Sequence, residues 1–447
     1  MPGESSAADY NPAMPLPYLT TDFPGIGGSI KWRNEDFFVQ ELPLYEPSGS
    51  GEHVYAEVEK VGLTTFELAH RLAAALGVPS MKVGYAGLKD ARAVSRQVMS
   101  VLGTTEEAVS SLRIPGVTVR WVARHGNKLR LGHLAGNRFA IKVRDVDPTD
   151  VVKLKAPLDV LGRRGMPNYF GEQRFGRRGD NDRLGSALVR GDHKALLSAL
   201  LGEPNPAVDD PQTATARAAF DRHDLEASLK AWPRRAGMER RILARLIKTH
   251  RPSAAVWAID QKLRRLWVSA LQSRVFNEVV VRRIDSLDRL MDGDLAWRHE
   301  GGAVFRVEQA AVEQPRCDAF EISPSGPLIG YRTTLPEGEP LRIERDAFAA
   351  AGLETTDFRG KDIGKVKGAR RPLRVKPQDV RLAGGVDEHG GYITVAFTLP
   401  PGSFATVLLR ELMKNDADAT EAPAAEQVME AEQVMEAEPV AGEAERA

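Results

Sequence analysis

Residues 84–97 read GYAGLKDARAVSRQ and hold the side chains best suited to chemistry. Asp90 stands between a short strand expected at 82–85 and a second segment at 91–101. Three cations, Lys89, Arg92 and Arg96, lie close to it in the chain. Cations so spaced hold a carboxylate ionised and attract a phosphate backbone. A simpler role fits as well. Segment 91–101 also reads as a helix, and an Asp just before a helix is a good N-cap. On local pattern both roles stay open, the cap being the commoner one.

Two further stretches offer groups to nucleobases. Gly136-Asn137-Arg138-Phe139 leads into a strand. Phe139 is there either a stacking platform, worth ~1–3 kcal/mol per base, or a core residue of that strand. Residues 168–178, NYFGEQRFGRR, interleave aromatics with Asn, Gln and Arg between glycines. That mixture serves stacking and phosphate contacts, or equally a turn around a packed aromatic pair.

Patterns that would bring in other chemistry fail. No GxxxxGK[ST] occurs, Gly25-Ile26-Gly27-Gly28 is not GxGxxG, and neither HExxH nor GxSxG is present. The nine histidines are scattered, and the one cysteine, Cys317, excludes an intramolecular disulfide and a multi-cysteine zinc site. Carboxylates, cations and aromatics are left to do the work, without a metal or a dinucleotide.

The elements that must position these groups follow from periodicity. Residues 30–42 alternate around a turn-like Arg33-Asn34-Glu35-Asp36 and predict two short strands; 53–60 predict a half-buried strand. Thr64-Thr65-Phe66-Glu67 is a capping box opening a helix over 66–76, which Gly77 stops. Strands are expected at 117–123, 128–134 and 138–143, and a helix at 152–163. This α+β pattern changes near residue 168. Beyond it, helices are expected at 182–201, 214–232, 238–250 and 261–284, strands and loops over 295–341, a strand at 392–398 and a short helix at 403–413.

The chain has 447 residues, 42% hydrophobic and 27% charged, an ordinary globular composition long enough for two or three domains. No run of about 18 apolar residues suggests a membrane span. The first residues lack a secretory pattern, so the expected location is the cytoplasm. The net charge of zero hides an asymmetry. Residues 415–447 carry ten acids against one base, net −9, and repeat EQVMEA in tandem at 426–437. The remainder carries 60 bases against 51 acids, net +9, and suits an anionic partner. The tail's composition predicts disorder. Basic stretches at 361–376 and along 238–250 are candidates for a nucleic-acid backbone.

Seven segments, in order EDFFVQELPLYEPSGSGEH, GYAGLKDARAVSRQ, GNRFAIKVR, NYFGEQRFG, SRVFNEVVVRR, SGPLIG and LPPGSFATVLLREL, resemble the TruD family of tRNA pseudouridine synthases over residues 30–414. Two places depart from the family pattern. Asn34 stands where the family commonly has Pro before Glu-Asp-Phe, and SGPLIG replaces a TGPLPG-like motif. The resemblance implies a pseudouridine synthase catalytic core with a mixed, largely antiparallel sheet, interrupted by a family-specific α/β insertion domain. The expected organisation is a flexible arm at 1–24, catalytic domain at 25–167, insertion domain at 168–373, catalytic domain again at 374–414 and an acidic disordered tail at 415–447.

The resemblance also implies an activity: isomerisation of uridine to pseudouridine in transfer RNA, at position 13 in bacterial members. Asp90 matches the catalytic aspartate, Lys31 a basic position at the active site, and Phe139 the aromatic that packs against the target base. Asn137 would line the site, and Lys89 would contact the substrate. Asn168, Gln173, Arg174 and Phe175 match the signature opening the insertion, in the cleft between domains. The reaction needs no redox step and no outside reactant, so no cofactor and no metal are expected. The implied protein is a monomer acting on tRNA. Two other classes compete. An RNA-binding protein without catalysis is opposed by the intact GLKD, and a metabolic α+β enzyme has no cofactor motif behind it.

Overall fold

The computed structural model describes residues 16–415. Eight strands make the principal sheet: β1 (Phe37–Pro43), β2 (His53–Val61), β3 (Val83–Tyr85), β4 (Val94–Leu102), β5 (Val117–His125), β6 (Leu134–Arg144), β7 (Gln378–Asp387) and β8 (Gly390–Leu399). Their order is β7-β8-β6-β1-β4-β2-β5, with β3 added to β4. Only β1 and β4 run parallel, so the sheet is mixed and largely antiparallel within an α+β fold. Its last two strands come from the far end of the chain. β8 lies along β6 from Tyr392 opposite Arg144 to Leu399 opposite Asn137.

Strand β4 corrects the helix expected at 91–101. Val94, Val98 and Val101 fall at helical spacing, which misled the periodicity. β-Branched residues suit a strand equally, and β2 pairs one edge of β4 while β1 and β3 share the other. Asp90 therefore caps no helix. β1 covers Val94 to Arg96 and β3 covers Met99 to Val101. Between them the ladder has a gap, and residues 86–93 cross there. Of the strand expected at 128–134, residues 128–133 are a loop, tied by Leu129 N–H to Ser100 Oγ at 3.0 Å and Gly132 N–H to Ala86 O at 2.8 Å, and Leu134 begins β6.

One face of the sheet is apolar. Phe37, Val39, Ile141, Val143, Ile393, Val395 and Phe397 pack under the helices Lys155–Arg164 and Ala405–Met413. The capping box at Thr64 forms as expected and starts the helix Thr65–Ala75. Its Leu68 and Leu72 bury against Val54, Val58 and Val101, each contributing roughly 1.5–3 kcal/mol.

Residues 168–373 are mostly helical. The helix expected at 182–201 breaks into Asn181–Arg190 and His193–Leu201, because Gly191 turns left-handed at φ +69° and Asp192 caps the second piece. That at 214–232 divides likewise, with Asp224 capping Leu225–Ala231. The long helix Gln261–Arg282 serves two cores. Leu263, Leu266 and Trp267 pack with Leu196, Leu200 and Leu243, whereas Phe276, Val279 and Val280 join the core beneath the sheet. The chain enters this half through Met166–Pro167 and leaves it through Arg374–Val375, paired antiparallel.

Of the arm expected to be loose over 1–24, residues 1–15 lie outside the described residues. Residues 16–24 are held. Leu19 and Thr20 N–H donate to the buried Glu411 carboxylate at 2.8 and 3.0 Å; a charged acceptor makes these strong bonds. The tail expected at 415–447 lies outside the described residues from 416 onward. Among the described residues no helix is long and apolar enough to cross a membrane.

Candidate active site

The segment bearing Lys31 is pinned at both ends to Arg144 on β6. Ser29 and Arg144 exchange backbone hydrogen bonds of 2.9 and 2.8 Å, and Asp36 accepts from the Arg144 guanidinium at 2.6 and 2.9 Å. Asp387 takes the other side of the same buried guanidinium at 2.7 and 3.0 Å. Hydrogen bonds donated to Asp36, then to Asp387, raise the pKa of Arg144, and in return its guanidinium holds the Asp387 carboxyl below the usual range. Lys31 itself is left-handed, φ +60°. Few non-glycine residues adopt that region, and here the two anchors enforce it. Its side chain passes over the Phe37 ring, 4.9 Å from the centroid, and its ammonium ion-pairs with Asp90 Oδ2.

Asp90 is held from below. Lys60, wholly buried on β2, donates to the carbonyls of Lys89 at 3.1 Å and Asp90 at 2.9 Å and to that of Leu63. Lys89 N–H donates to Thr65 Oγ1 at 2.9 Å, and Thr65 donates to Gln97 Oε1 at 3.0 Å. The backbone at 89–90 is thus clamped between β2, β4 and the first turn of the helix Thr65–Ala75. Its carboxylate, 26% exposed, accepts from Lys31 on one oxygen and from Arg92 N–H at 3.3 Å on the other.

The cations adjacent in sequence are not those around Asp90. Lys89, expected to meet substrate, is withdrawn into a buried ion pair with Glu41 at 2.8 Å, in the gap where β1 gives way to β3. Arg96 alternates to the other face of β4, pairs with Glu59 at 2.6 Å and covers Phe38. Arg92 reaches Asp90 only through its N–H, its guanidinium donating to Lys31 O at 3.3 Å. The cation on Asp90 comes from 59 residues earlier.

Phe139 and Asn137 share the sheet face of Phe37 and Glu41, in register on β6 and β1. Phe139 is 7% exposed, stacked on Phe397 at 5.2 Å and edge-on to Phe37 at 6.3 Å. The order Lys31, Phe37, Phe139 continues from the ion pair into the core. Phe139→Ala is therefore expected to lower stability by about 3–5 kcal/mol, read by denaturant unfolding. Phe139→Leu, which refills most of the volume, separates packing from any contact with a base. Asn137 faces Glu41 on one side and Leu399 on the other, and its buried Oδ1 has no hydrogen-bond partner.

The motif at 168–175 forms a second cluster. Asn168 donates to Pro372 O at 2.9 Å and accepts from Arg371 at 2.6 Å and Ser403 Oγ at 3.4 Å. Ser403 lies four residues past Leu399, so Asn168 joins the loop beside Asn137. Arg174 turns into the helix Gln261–Arg282, on Ser269 and Ser273. Gln173 is exposed and Phe175 half-buried. The structure thus gathers Lys31, Asp90, Lys89, Asn137 and Phe139, links Asn168 to them through 399–403, and sets Arg174 in an internal anchor.

Sequence reasoning missed Phe37, Glu41 and Lys60. A signal for Lys60 existed: it continues the buried phase Val54, Ala56, Val58 of β2, where an apolar residue is due. No group of three or more His, Cys, Asp or Glu able to hold a metal occurs among the described residues.

The family model tRNA pseudouridine synthase D (TruD) matches residues 14–412. The tRNA pseudouridine synthase D of Geobacter metallireducens is 46% identical over 400 residues, 89% of this chain and 97% of that protein. The protein of the same name from Geotalea daltonii is 44% identical over 402 residues, 89% of this chain and 100% of the other. A crystal structure of a tRNA pseudouridine synthase D from Methanosarcina mazei superposes with a TM-score of 0.78 at 30% identity, covering 90% of this chain and 96% of that one.

Proposed function

The chain belongs to the TruD family of tRNA pseudouridine synthases, and from that premise we propose that it isomerises uridine 13 of transfer RNA with Asp90 as the reacting carboxylate. The observation that carries this reading is the setting of Asp90: a partly exposed carboxylate on a clamped loop, with one ammonium on it and an aromatic pair alongside.

Isomerisation breaks the bond from uracil N1 to C1′, turns the base and joins C5 to C1′. The C5 proton is lost and N1 gains one, so no outside reactant enters. A carboxylate serves such a sequence as nucleophile or as base on the ribose. Lys31 sets a positive charge directly against that carboxylate. The target base must leave its stack, which costs a few kcal/mol. Phe37 and Phe139 are buried, 5% and 7% exposed, so they supply an apolar wall behind the ion pair rather than an open stacking face. The unpaired Oδ1 of Asn137 is an acceptor for a donor such as uracil N3–H. On this reading residues 25–167 and 374–414 form the catalytic part, and the insertion at 168–373 meets it at Asn168. The enzyme works in the cytoplasm as a monomer.

Release of tritium from uridine C5 of transcribed tRNA tests the activity. Replacing uridine 13 by cytidine is expected to abolish release. Unchanged release would overturn the position, and binding without any release would favour the RNA-binding alternative.

Charge alone sets one further expectation. Deleting residues 416–447 removes a net charge of −9. Affinity for tRNA is expected to rise a few-fold at low salt and to converge with the full chain as salt screens charges beyond about 10 Å at 0.1 M. Titration of tRNA at two salt concentrations checks it; identical affinities at low salt would show the tail to be passive.

A further inference from the structure

The basic stretch at 361–376 divides by role. Arg370 is buried and pairs with Glu344 at 2.7 and 3.0 Å, and Arg371 holds Asn168. Arg374 is buried too, donating to the carbonyls of Arg164 at 2.7 Å and Cys317 at 2.6 Å. These three build the fold. Lys361, Lys365 and Lys367 remain exposed on and beside a hairpin that pairs Arg359–Gly360 with Gly364–Lys365. The one acid of the stretch, Asp362, is turned inward, with its Oδ2 2.7 Å from His193 Nε2.

The same residue joins the hairpin to an exposed aromatic. Asp362 O accepts from Arg264 Nη1 at 2.8 Å, and the Arg264 guanidinium lies 5.9 Å from the Trp257 ring, which is 58% exposed. On its other flank the chain is fixed to Tyr331 and Arg332, whose N–H groups donate to Val366 O and Lys367 O, both at 2.9 Å. Arg359 covers Tyr331 at 4.0 Å. The result is one braced surface: an indole face, then three ammonium groups whose neighbouring carboxylate is engaged elsewhere.

A single exposed Trp needs no explanation. A ring face beside unneutralised cations on a fixed hairpin is what single-stranded or looped RNA recognises, bases stacking and phosphates pairing. We propose that Trp257 and the hairpin at 359–367 form a second tRNA contact, where an unpaired base stacks on Trp257 and the backbone runs past Lys361, Lys365 and Lys367. This rests on the reading of tRNA as substrate. The strand Ala369–Pro372 leads from Lys367 to Arg371, four residues or ~13 Å of extended chain, and Arg371 holds Asn168 at the candidate site. One RNA can therefore span both.

The test uses the full chain and whole tRNA, with dissociation constants from filter binding and kcat from tritium release. Trp257→Ala is expected to weaken binding about tenfold with kcat within twofold of wild type, and Trp257→Phe to restore most of the loss. Lys361→Gln with Lys365→Gln is expected to lower the slope of log affinity against log salt by about one to two. A short RNA hairpin carrying only the target uridine should bind wild type and Trp257→Ala alike. Unchanged affinity of Trp257→Ala for whole tRNA, or a fall in kcat with affinity intact, would overturn the proposal. Wild type that binds tRNA through Trp257 yet releases no tritium would sink the proposed activity and leave this surface standing.

Discussion

Asp90→Asn is expected to lower tritium release from tRNA by at least about a thousandfold, the scale on which a reacting carboxylate contributes. Asn nearly matches Asp in shape and keeps an acceptor for Arg92 N–H, so the loop has little reason to move. The negative charge is what disappears. The variant also leaves the Lys31 ammonium, 7% exposed, without its counter-charge, which is unfavourable. Lys31→Met combined with Asp90→Asn removes that orphan and should recover stability without recovering turnover. Circular dichroism and filter binding of tRNA are expected to remain close to wild type. Turnover within a few-fold of wild type would remove Asp90 from the reaction.

Lys60→Met should have the second largest effect, in a different pattern. Met fills the space of the Lys stem and brings no donor. The carbonyls of Leu63, Lys89 and Asp90 lose a buried ammonium, at about 1–3 kcal/mol for each acceptor left unsatisfied. A total near 3–5 kcal/mol follows, since relaxation recovers part. The backbone of Asp90 is then free to shift, and a displacement of about 1 Å at a reacting group lowers rate roughly a hundredfold. Affinity for tRNA should change little, because phosphate contacts over a wide surface supply most of it. Measured well below its melting temperature, the variant should show reduced kcat at unchanged dissociation constant. A lowered melting temperature with normal kcat would make Lys60 a brace of the fold alone.

Residue types and local periods determined much about this protein. The alternation of β2, the capping box at Thr64 and the change of texture near residue 168 are local, so they are legible without a partner. The ordered motifs likewise sufficed for the family, and with it the uridine chemistry. Asp90 stood out for its chemical type, but its surroundings did not. Spacing made Lys89, Arg92 and Arg96 its neighbours; the sheet sends Lys89 to Glu41 and Arg96 to Glu59, and brings Lys31 from 59 residues away. Segment 91–101 shows why. Its valines keep a helical spacing, although in a strand Val101 faces opposite to Val94 and Val98, and pairing with β1, β2 and β3 selects the strand. Once β4 is a strand, side chains alternate between its faces, and that alternation decides which charges meet. Lys60 became a clamp for the same reason: register places it beneath carbonyls that lie 29 and 30 residues further along the chain. A sequence states which groups exist and their local rhythm. Which of them touch is settled by strand pairing between distant segments, and that pairing exists only in the folded chain.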